Sequence, residues 1–388
     1  MRFTTKILPS VSGNLGIIEL NNPKALHALT LDMVHAMQDV YSEWHKASSI
    51  KAILLKGSKD TSRHTFCAGG DVKQVYASIV GQQEHQHLHG HGITGLYSSE
   101  MFRQEYIVNH AIATSTTPQI SLWDGVVMGG GVGISIHGKY RVATQHTTLA
   151  MPETAIGIFP DVGSMYWMPR MLKGGLSAYV ALTGARLGPS DLLYTGLATH
   201  YVASERLEDL QVALVEATKH LKETEVTKDV VAPVLMSFHE MPPMNPRESF
   251  VAKHKQVIND VFAGSDSIEL IVAKLNDLDS EFGRKTLKTM NAMSPTSLKV
   301  TLEGLKRGAQ MNNIGEDLQM EFRMMQRFML TGSDAIEGIR AVLVDKDQAP
   351  NWNPATLADV TDDMVQSYFE PLGENDWVIP AEVEVSKL

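Results

Sequence analysis

Ile120-Ser121-Leu122-Trp123-Asp124-Gly125-Val126-Val127-Met128-Gly129-Gly130-Gly131-Val132-Gly133 changes character several times within a short span. An apolar run gives way to the turn pair Asp124-Gly125, then to a glycine cluster, then to a short helical pattern from Gly130 to His137. Strand, glycine turn and helix in that order point to an α/β core. Glycines placed there let the backbone approach a ligand closely and leave the first helical N–H groups free to donate, as an oxyanion or phosphate site requires. Tight helix packing would use the same residues. A dinucleotide fingerprint, G-x-G-x-x-G, is excluded, because the positions five after Gly129 and Gly131 hold Ile134 and Ile136.

The same rhythm recurs outward from this stretch. Asn14 to Leu20 and Lys51 to Lys56 read as strands around a helical pattern through Met33, Met37, Val40 and Trp44. Pro118 to Trp123, Tyr140 to Ala143 and Thr148 to Met151 read as further strands, which gives repeated ββα-like turns up to about Val202. Beyond that the strand signals stop. Arg206 to Lys222, Phe250 to Phe262, Ile268 to Leu278, Ser297 to Arg307 and Gly315 to Leu330 carry apolar side chains at helical spacing. The chain therefore divides into an α/β core over 1–204 and a helical region over 205–388.

With 44 acidic and 34 basic side chains among 388 residues, the net charge is −10, and 43% of the residues are hydrophobic. That composition provides a large core and no electrostatic footprint for duplex nucleic acid or an anionic membrane surface. The single cysteine, Cys67, excludes an intrachain disulfide and CxxC zinc sites. No segment reads as a membrane span or secretory leader, so the expectation is a soluble, unexported protein. The final Ser386-Lys387-Leu388 spells a peroxisomal address in a eukaryote, whereas a bacterial host would make the protein cytoplasmic.

A second glycine turn, Phe66-Cys67-Ala68-Gly69-Gly70-Asp71, precedes the helical pattern Val72 to Val80, with Asp71 placed as its N-cap. Two such turns can aim two N–H donors at one carbonyl oxygen, which is what acyl chemistry on an ester or thioester requires. Glu153 in Met151-Pro152-Glu153-Thr154 and Asp161 in Phe159-Pro160-Asp161-Val162-Gly163 are acids in apolar neighbourhoods, where carboxyl pKa values rise toward neutrality. Ser135 and His137 do not form G-x-S-x-G and argue for no serine triad. His85, His87, His89 and His91 read as a solvated segment rather than a metal site, and His64 as loop surface. No metal is expected.

Asn22-Pro23-Lys24-Ala25-Leu26-His27-Ala28-Leu29, Phe66 to Asp71, Gly129 to Gly133 and Leu182-Thr183-Gly184-Ala185-Arg186-Leu187 through Ala198 resemble the crotonase (enoyl-CoA hydratase/isomerase) superfamily in order and spacing. Glu337-Gly338-Ile339-Arg340-Ala341 and Asp345-Lys346-Asp347, with the Glu153 and Asp161 motifs, are similar to its acyl-CoA hydrolase branch. The resemblance implies a spiral of ββα units followed by helices that close over an acyl pocket. It implies no cofactor, CoA being part of the substrate, and a homo-oligomer as a possible assembly.

By motif position, it places the thioester oxygen between the N–H groups of Gly70 and Gly130. It puts Lys24, Ala25, Leu26 and Ala68 around CoA, and Glu105, Tyr106 and Gly129 around the acyl group. Hydratases of the superfamily hold a water between two glutamates 20 residues apart, and here those positions are Gly133 and Glu153. A lone glutamate cannot clamp water from both sides, whereas Asp161 matches the hydrolase pattern. The implied activity is hydrolysis of a short branched 3-hydroxyacyl-CoA, with Glu153 as nucleophile or general base and Asp161 orienting the 3-hydroxyl or the water. The alternatives are an enoyl-CoA hydratase or isomerase and a non-catalytic CoA- or RNA-binding member of the fold.

Overall fold

After an initial hairpin, each strand–strand unit of the chain contributes one strand to each of two sheets. The computed structural model describes residues 4–83, 97–221, 228–330 and 332–379. Its strands are β1 Ile7–Ser12, β2 Leu15–Leu20, β3 Ala52–Gly57, β4 Thr65–Cys67, β5 Gln119–Trp123, β6 Val126–Met128, β7 Tyr140–Ala143, β8 Thr148–Ala150 and β9 His200–Tyr201. The larger sheet runs β1-β2-β3-β5-β7-β9, and the smaller runs β4-β6-β8. All pairs are parallel except the β1/β2 hairpin.

The α-helices among the described residues are α1 Leu31–Lys46, α2 Val72–Gln83, α3 Tyr97–Thr114, α4 Gly130–Ile136, α5 Ser164–Met171, α6 Leu176–Thr183, α7 Pro189–Thr195 and α8 Leu207–Thr218. They continue with α9 Lys228–Phe238, α10 Phe250–Phe262, α11 Ile268–Asp277, α12 Glu281–Asn291, α13 Pro295–Gly308, α14 Ile314–Phe328, α15 Asp334–Ile339 and α16 Asp362–Ser367. Thus β3-β4-α2, β5-β6-α4 and β7-β8 with the 3-10 turn Glu153–Ile156 are three turns of one spiral. The α/β class and the repeated units follow the sequence reading.

Strands buried on both faces, such as Ala52-Ile53-Leu54-Leu55 and Gln119 to Trp123, are the ones the apolar runs mark. β1 leaves no such mark, because only Ile7 of it is buried and the rest forms an exposed edge. One face of the large sheet packs Leu15, Leu54, Ile120, Leu122 and Val142 against Leu210 and Leu214 of α8 and Val231 and Leu235 of α9. The helices from α10 onward serve the other side: α13 lies on α5 and α6, α14 on α3 and α5, and α15 on the turn that carries Glu153. The helical region therefore splits between a cover for the far face of the sheet and a support for the side where the glycine turns lie.

Candidate active site

The small sheet ends in three exits. β4, β6 and β8 run side by side in the registers Thr65↔Val126↔Thr148 and Met128↔Ala150. From their C-terminal ends the chain leaves through Ala68-Gly69-Gly70, Gly129-Gly130 and Met151-Pro152-Glu153. Three stretches far apart in sequence thus meet at one edge. Gly129 has φ +47° and ψ −121°, a conformation open to glycine alone, and a methyl there would stand 2.9 Å from Glu153 Oε1. A methyl on Gly130 would collide with Glu105 Oε1 and sit 3.3 Å from the Gly70 nitrogen. The two expected N–H donors are therefore neighbours, with two carboxyl groups beside them.

Both amides are free of the local ladders. The bridge between Leu29 and Gly70 uses Leu29 N–H to Gly69 O and Asp71 N–H to Leu29 O, each 2.8 Å, so the Gly70 N–H faces away from it. Gly130 opens α4, whose first N–H groups lack intrahelical partners. Ala68 N–H donates to Leu26 O at 3.0 Å, which joins Lys24, Ala25 and Leu26 to Ala68, with Lys24 and Ala25 exposed. Buried His27 braces this loop: Nδ1 accepts from Asn22 N–H and Nε2 donates to Ser58 O, both at 3.1 Å. Burial lowers its pKa and keeps it neutral. Asp71 accepts from Gln74 N–H at 3.3 Å and caps α2.

Glu105 and Tyr106 on α3, Glu153 and Asp161 are all buried. Tyr106 O–H donates to Asp161 Oδ2 at 2.9 Å, while Glu105 Oε1 and Glu153 Oε2 make no hydrogen bond among the described residues. Burial pushes Asp161 up to about 7, against the hydrogen bond from Tyr106. Glu153 and Glu105 are driven well above the carboxylate range, first by burial and then by the charge of Asp161. Carboxyl groups that feel one another's charge titrate as a set.

Three residues that the sequence does not assign to the site hold the Asp161 turn. Glu321 on α14 accepts from Gly163 N–H (2.7 Å) and Met165 N–H (3.1 Å), and Asp317 accepts from Tyr166 N–H (2.9 Å). They cap α5, whose N-cap Gly163 has no side chain to do so. Burial pushes Asp317 up to about 7 and Glu321 well above the carboxylate range. His137 Nε2–H donates to Val162 O at 2.9 Å, and burial takes its pKa down to about 4, so the ring is neutral.

Val162 has φ +56°, strained for a β-branched residue, and its side chain fills the space beside Gly133, where a methyl would lie 2.5 Å from Val162 Cβ. Ser135 is structural: its Oγ donates to Gly131 O and accepts from Trp123 Nε1–H. The available signal for the acid pair was positional. Asp317 and Glu321, four apart, fall within the apolar stripe of Ile314, Leu318, Phe322 and Met325, where an acid needs a buried partner.

A ββα spiral with paired glycine amides beside buried carboxyl groups at its exits places the protein in the crotonase class. The family model described as enoyl-CoA hydratase/isomerase matches residues 15–369, and the chain belongs to that family. Among solved structures it is similar to a carnitinyl-CoA dehydratase from Mycobacterium thermoresistibile, with TM-score 0.81 and 33% identity, covering 95% of this chain and 97% of that one. An enoyl-CoA hydratase from Rhodobacter sphaeroides 2.4.1 gives TM-score 0.80 and 30% identity, covering 95% and 98%.

The particular relatives are hydrolases. The mitochondrial 3-hydroxyisobutyryl-CoA hydrolase of Xenopus tropicalis is 43% identical over 367 residues, 94% of this chain and 89% of that protein. The Homo sapiens protein of the same name is 39% identical over 372 residues, 96% and 90%. These names correct the location read from Ser386-Lys387-Leu388: the eukaryotic relatives are mitochondrial, not peroxisomal. That tripeptide and the His85 to His91 run lie outside the described residues. Among the described residues, no helix is long and apolar enough to cross a membrane.

Proposed function

We propose that the protein hydrolyses 3-hydroxyisobutyryl-CoA to 3-hydroxyisobutyrate and CoA, a step of valine breakdown. Curated hydrolases about 40% identical over most of the chain support the reaction. The observation that carries it against hydration is the filling of the space at Gly133 by Val162, which leaves no glutamate at the position 20 residues before Glu153; Glu105, the other glutamate beside the glycine amides, comes from α3 instead. The Gly133–Glu153 clamp that holds a water for addition to a double bond is absent, whereas one carboxyl group suffices to cleave a thioester.

In this reading the thioester oxygen accepts from Gly70 and Gly130 N–H, and the tetrahedral oxyanion is held there. Loss of one such donor costs about 3–4 kcal/mol of barrier. Glu153 either attacks the carbonyl carbon, giving a mixed anhydride that water then cleaves, or takes a proton from the attacking water. Both routes release the CoA thiol and consume one water. Asp161, held by Tyr106, orients the 3-hydroxyl or the water, and Glu105 and Gly129 line the acyl group. Lys24, Ala25, Leu26 and Ala68 receive CoA, with the Lys24 ammonium on its phosphates. The reaction requires no resident cofactor.

The test is to supply 3-hydroxyisobutyryl-CoA and crotonyl-CoA separately, following free thiol and enoyl absorbance. Thiol release from the first with no hydration of the second supports the reading. Efficient hydration of crotonyl-CoA without thiol release from the first overturns it.

A further inference from the structure

The opposite end of the β4-β6-β8 sheet carries a second constellation. His64 directly precedes β4, Asp124 lies two residues before β6 and His146 two residues before β8. The parallel register that gathers the glycine exits at one end therefore gathers these three side chains at the other. We propose that His64, Asp124 and His146 bind a divalent transition-metal ion of the zinc type, outside the acyl-CoA site.

One ligand atom from each residue falls within 4.8 Å of the other two. Tetrahedral zinc with bonds of about 2.0–2.1 Å sets its ligand atoms about 3.3–3.4 Å apart. The approach still needed is within reach of side-chain rotation. The imidazoles stack with centroids 3.6 Å apart and planes 12° from parallel, so both turn out of the stack to direct a nitrogen at one ion. His64 is exposed and His146 half-buried, which leaves that turn unhindered by the core.

The backbone needs no such movement. Val126 N–H donates to His64 O at 3.2 Å and Thr148 N–H to Gly125 O at 3.0 Å, so the three strand entries are already tied together.

Asp124 is oriented as metal ligands usually are, by an outer layer of donors. Thr144 Oγ1 and Ser204 Oγ each donate to its carboxylate at 2.8 Å, and His64 Nδ1 lies 3.3 Å from Oδ2. The three residues line a surface cavity of about 740 Å³. Two lysines of its wall are matched by acids, Lys56 with Glu19 at 3.2 Å and Lys59 with Glu208 at 2.6 Å. Two imidazoles and a carboxylate suit zinc, copper or nickel rather than magnesium or calcium, which prefer all-oxygen sets. Three protein ligands leave a fourth position for water.

Zinc chloride titration by calorimetry, with thermal unfolding in parallel, tests the site. The full chain is used with His85, His87, His89 and His91 replaced by Ala, so that this run cannot supply ligands. One equivalent of Zn²⁺ is expected to bind and to raise Tm. Adding His64→Ala and His146→Ala should weaken binding at least 100-fold and remove the shift, with kcat/KM for acyl-CoA unchanged. A further chain with His146→Gln, which keeps a polar group in the stack, should also lose the shift. Absence of saturable binding, or binding that survives the paired substitution, overturns the proposal.

Discussion

The two ends of the β4-β6-β8 sheet are built by the same backbone register and differ in what surrounds them. At the C-terminal end, Glu105, Glu153 and Asp161 are buried, and each is held toward its protonated form by loss of water. At the N-terminal end, His64 and His146 are exposed or half-buried, and Asp124 keeps hydroxyl donors on its carboxylate. Register can bring side chains together at either end, but only the dry end stores the electrostatic energy from which a reaction barrier can be lowered. The wet end is suited to binding, where displaced water is the competitor.

The largest effect expected at the dry end is that of Glu153→Gln. Thiol release should fall about 10³-fold or more, as for loss of a nucleophile or general base, while CoA binding stays near normal. Retained turnover would remove Glu153 from the chemistry. Asp161→Asn should lower turnover about 10²-fold for 3-hydroxyacyl substrates and less for those without the hydroxyl. Because the Asp161 charge raises Glu153, the acid limb of kcat/KM should also move to lower pH in this variant. An unmoved limb would mean that the two carboxyl groups do not share a field.

Stability separates the ends next. Glu321→Ala strips acceptors from Gly163 and Met165 N–H and should cost about 1–3 kcal/mol by urea denaturation, with partial rescue in Glu321→Gln. Gly133→Ala should cost about 1–3 kcal/mol, because its methyl meets Val162, and the longer Gly133→Glu should unfold the site rather than create a hydratase. Asp161 and Asp317 titrate near 7 when folded, against 3.8 ordinarily. Between those values the folded chain keeps protons that the unfolded chain has released. Their contribution to stability therefore falls as pH rises from about 4 to about 7. Asp317→Asn should flatten that decline in a pH series of denaturation curves, and an unchanged slope would refute the shift.

Sequence legibility followed the same division. Phe250–Phe262 and Tyr140–Ala143 were readable to the residue, because each buries a periodic or continuous apolar face. The glycine exits and Glu153 were readable because they follow strand ends directly, and Asp161 because it is an acid set in the apolar run Phe159 to Val162. Glu321 and Asp317 reach the site from a helix more than 150 residues away, through backbone amides that carry no sequence mark of their own. Val162 beside Gly133 is a contact between two unremarkable letters. His64 read as loop surface and Asp124 as half of a turn pair, and nothing marked His146, since the short strands β4 and β6 that align two of them were not separately legible.

The smallest expected effect is the most direct check on whether the ends are independent. Ser204→Ala removes one of the hydroxyl donors on Asp124 and leaves every group at the dry end in place. The loss of one neutral-to-charged hydrogen bond at a half-buried carboxylate should cost about 1 kcal/mol, read as a lower denaturation midpoint. The strands between the ends are each three residues long and hydrogen-bonded to their neighbours, so a small relaxation at Asp124 has no soft element through which to travel to Gly130. Steady-state kcat and KM should therefore match the parent within twofold. A larger fall in kcat than in stability would show that the sheet transmits strain from its wet end to the oxyanion donors, and the two sites would have to be treated as one.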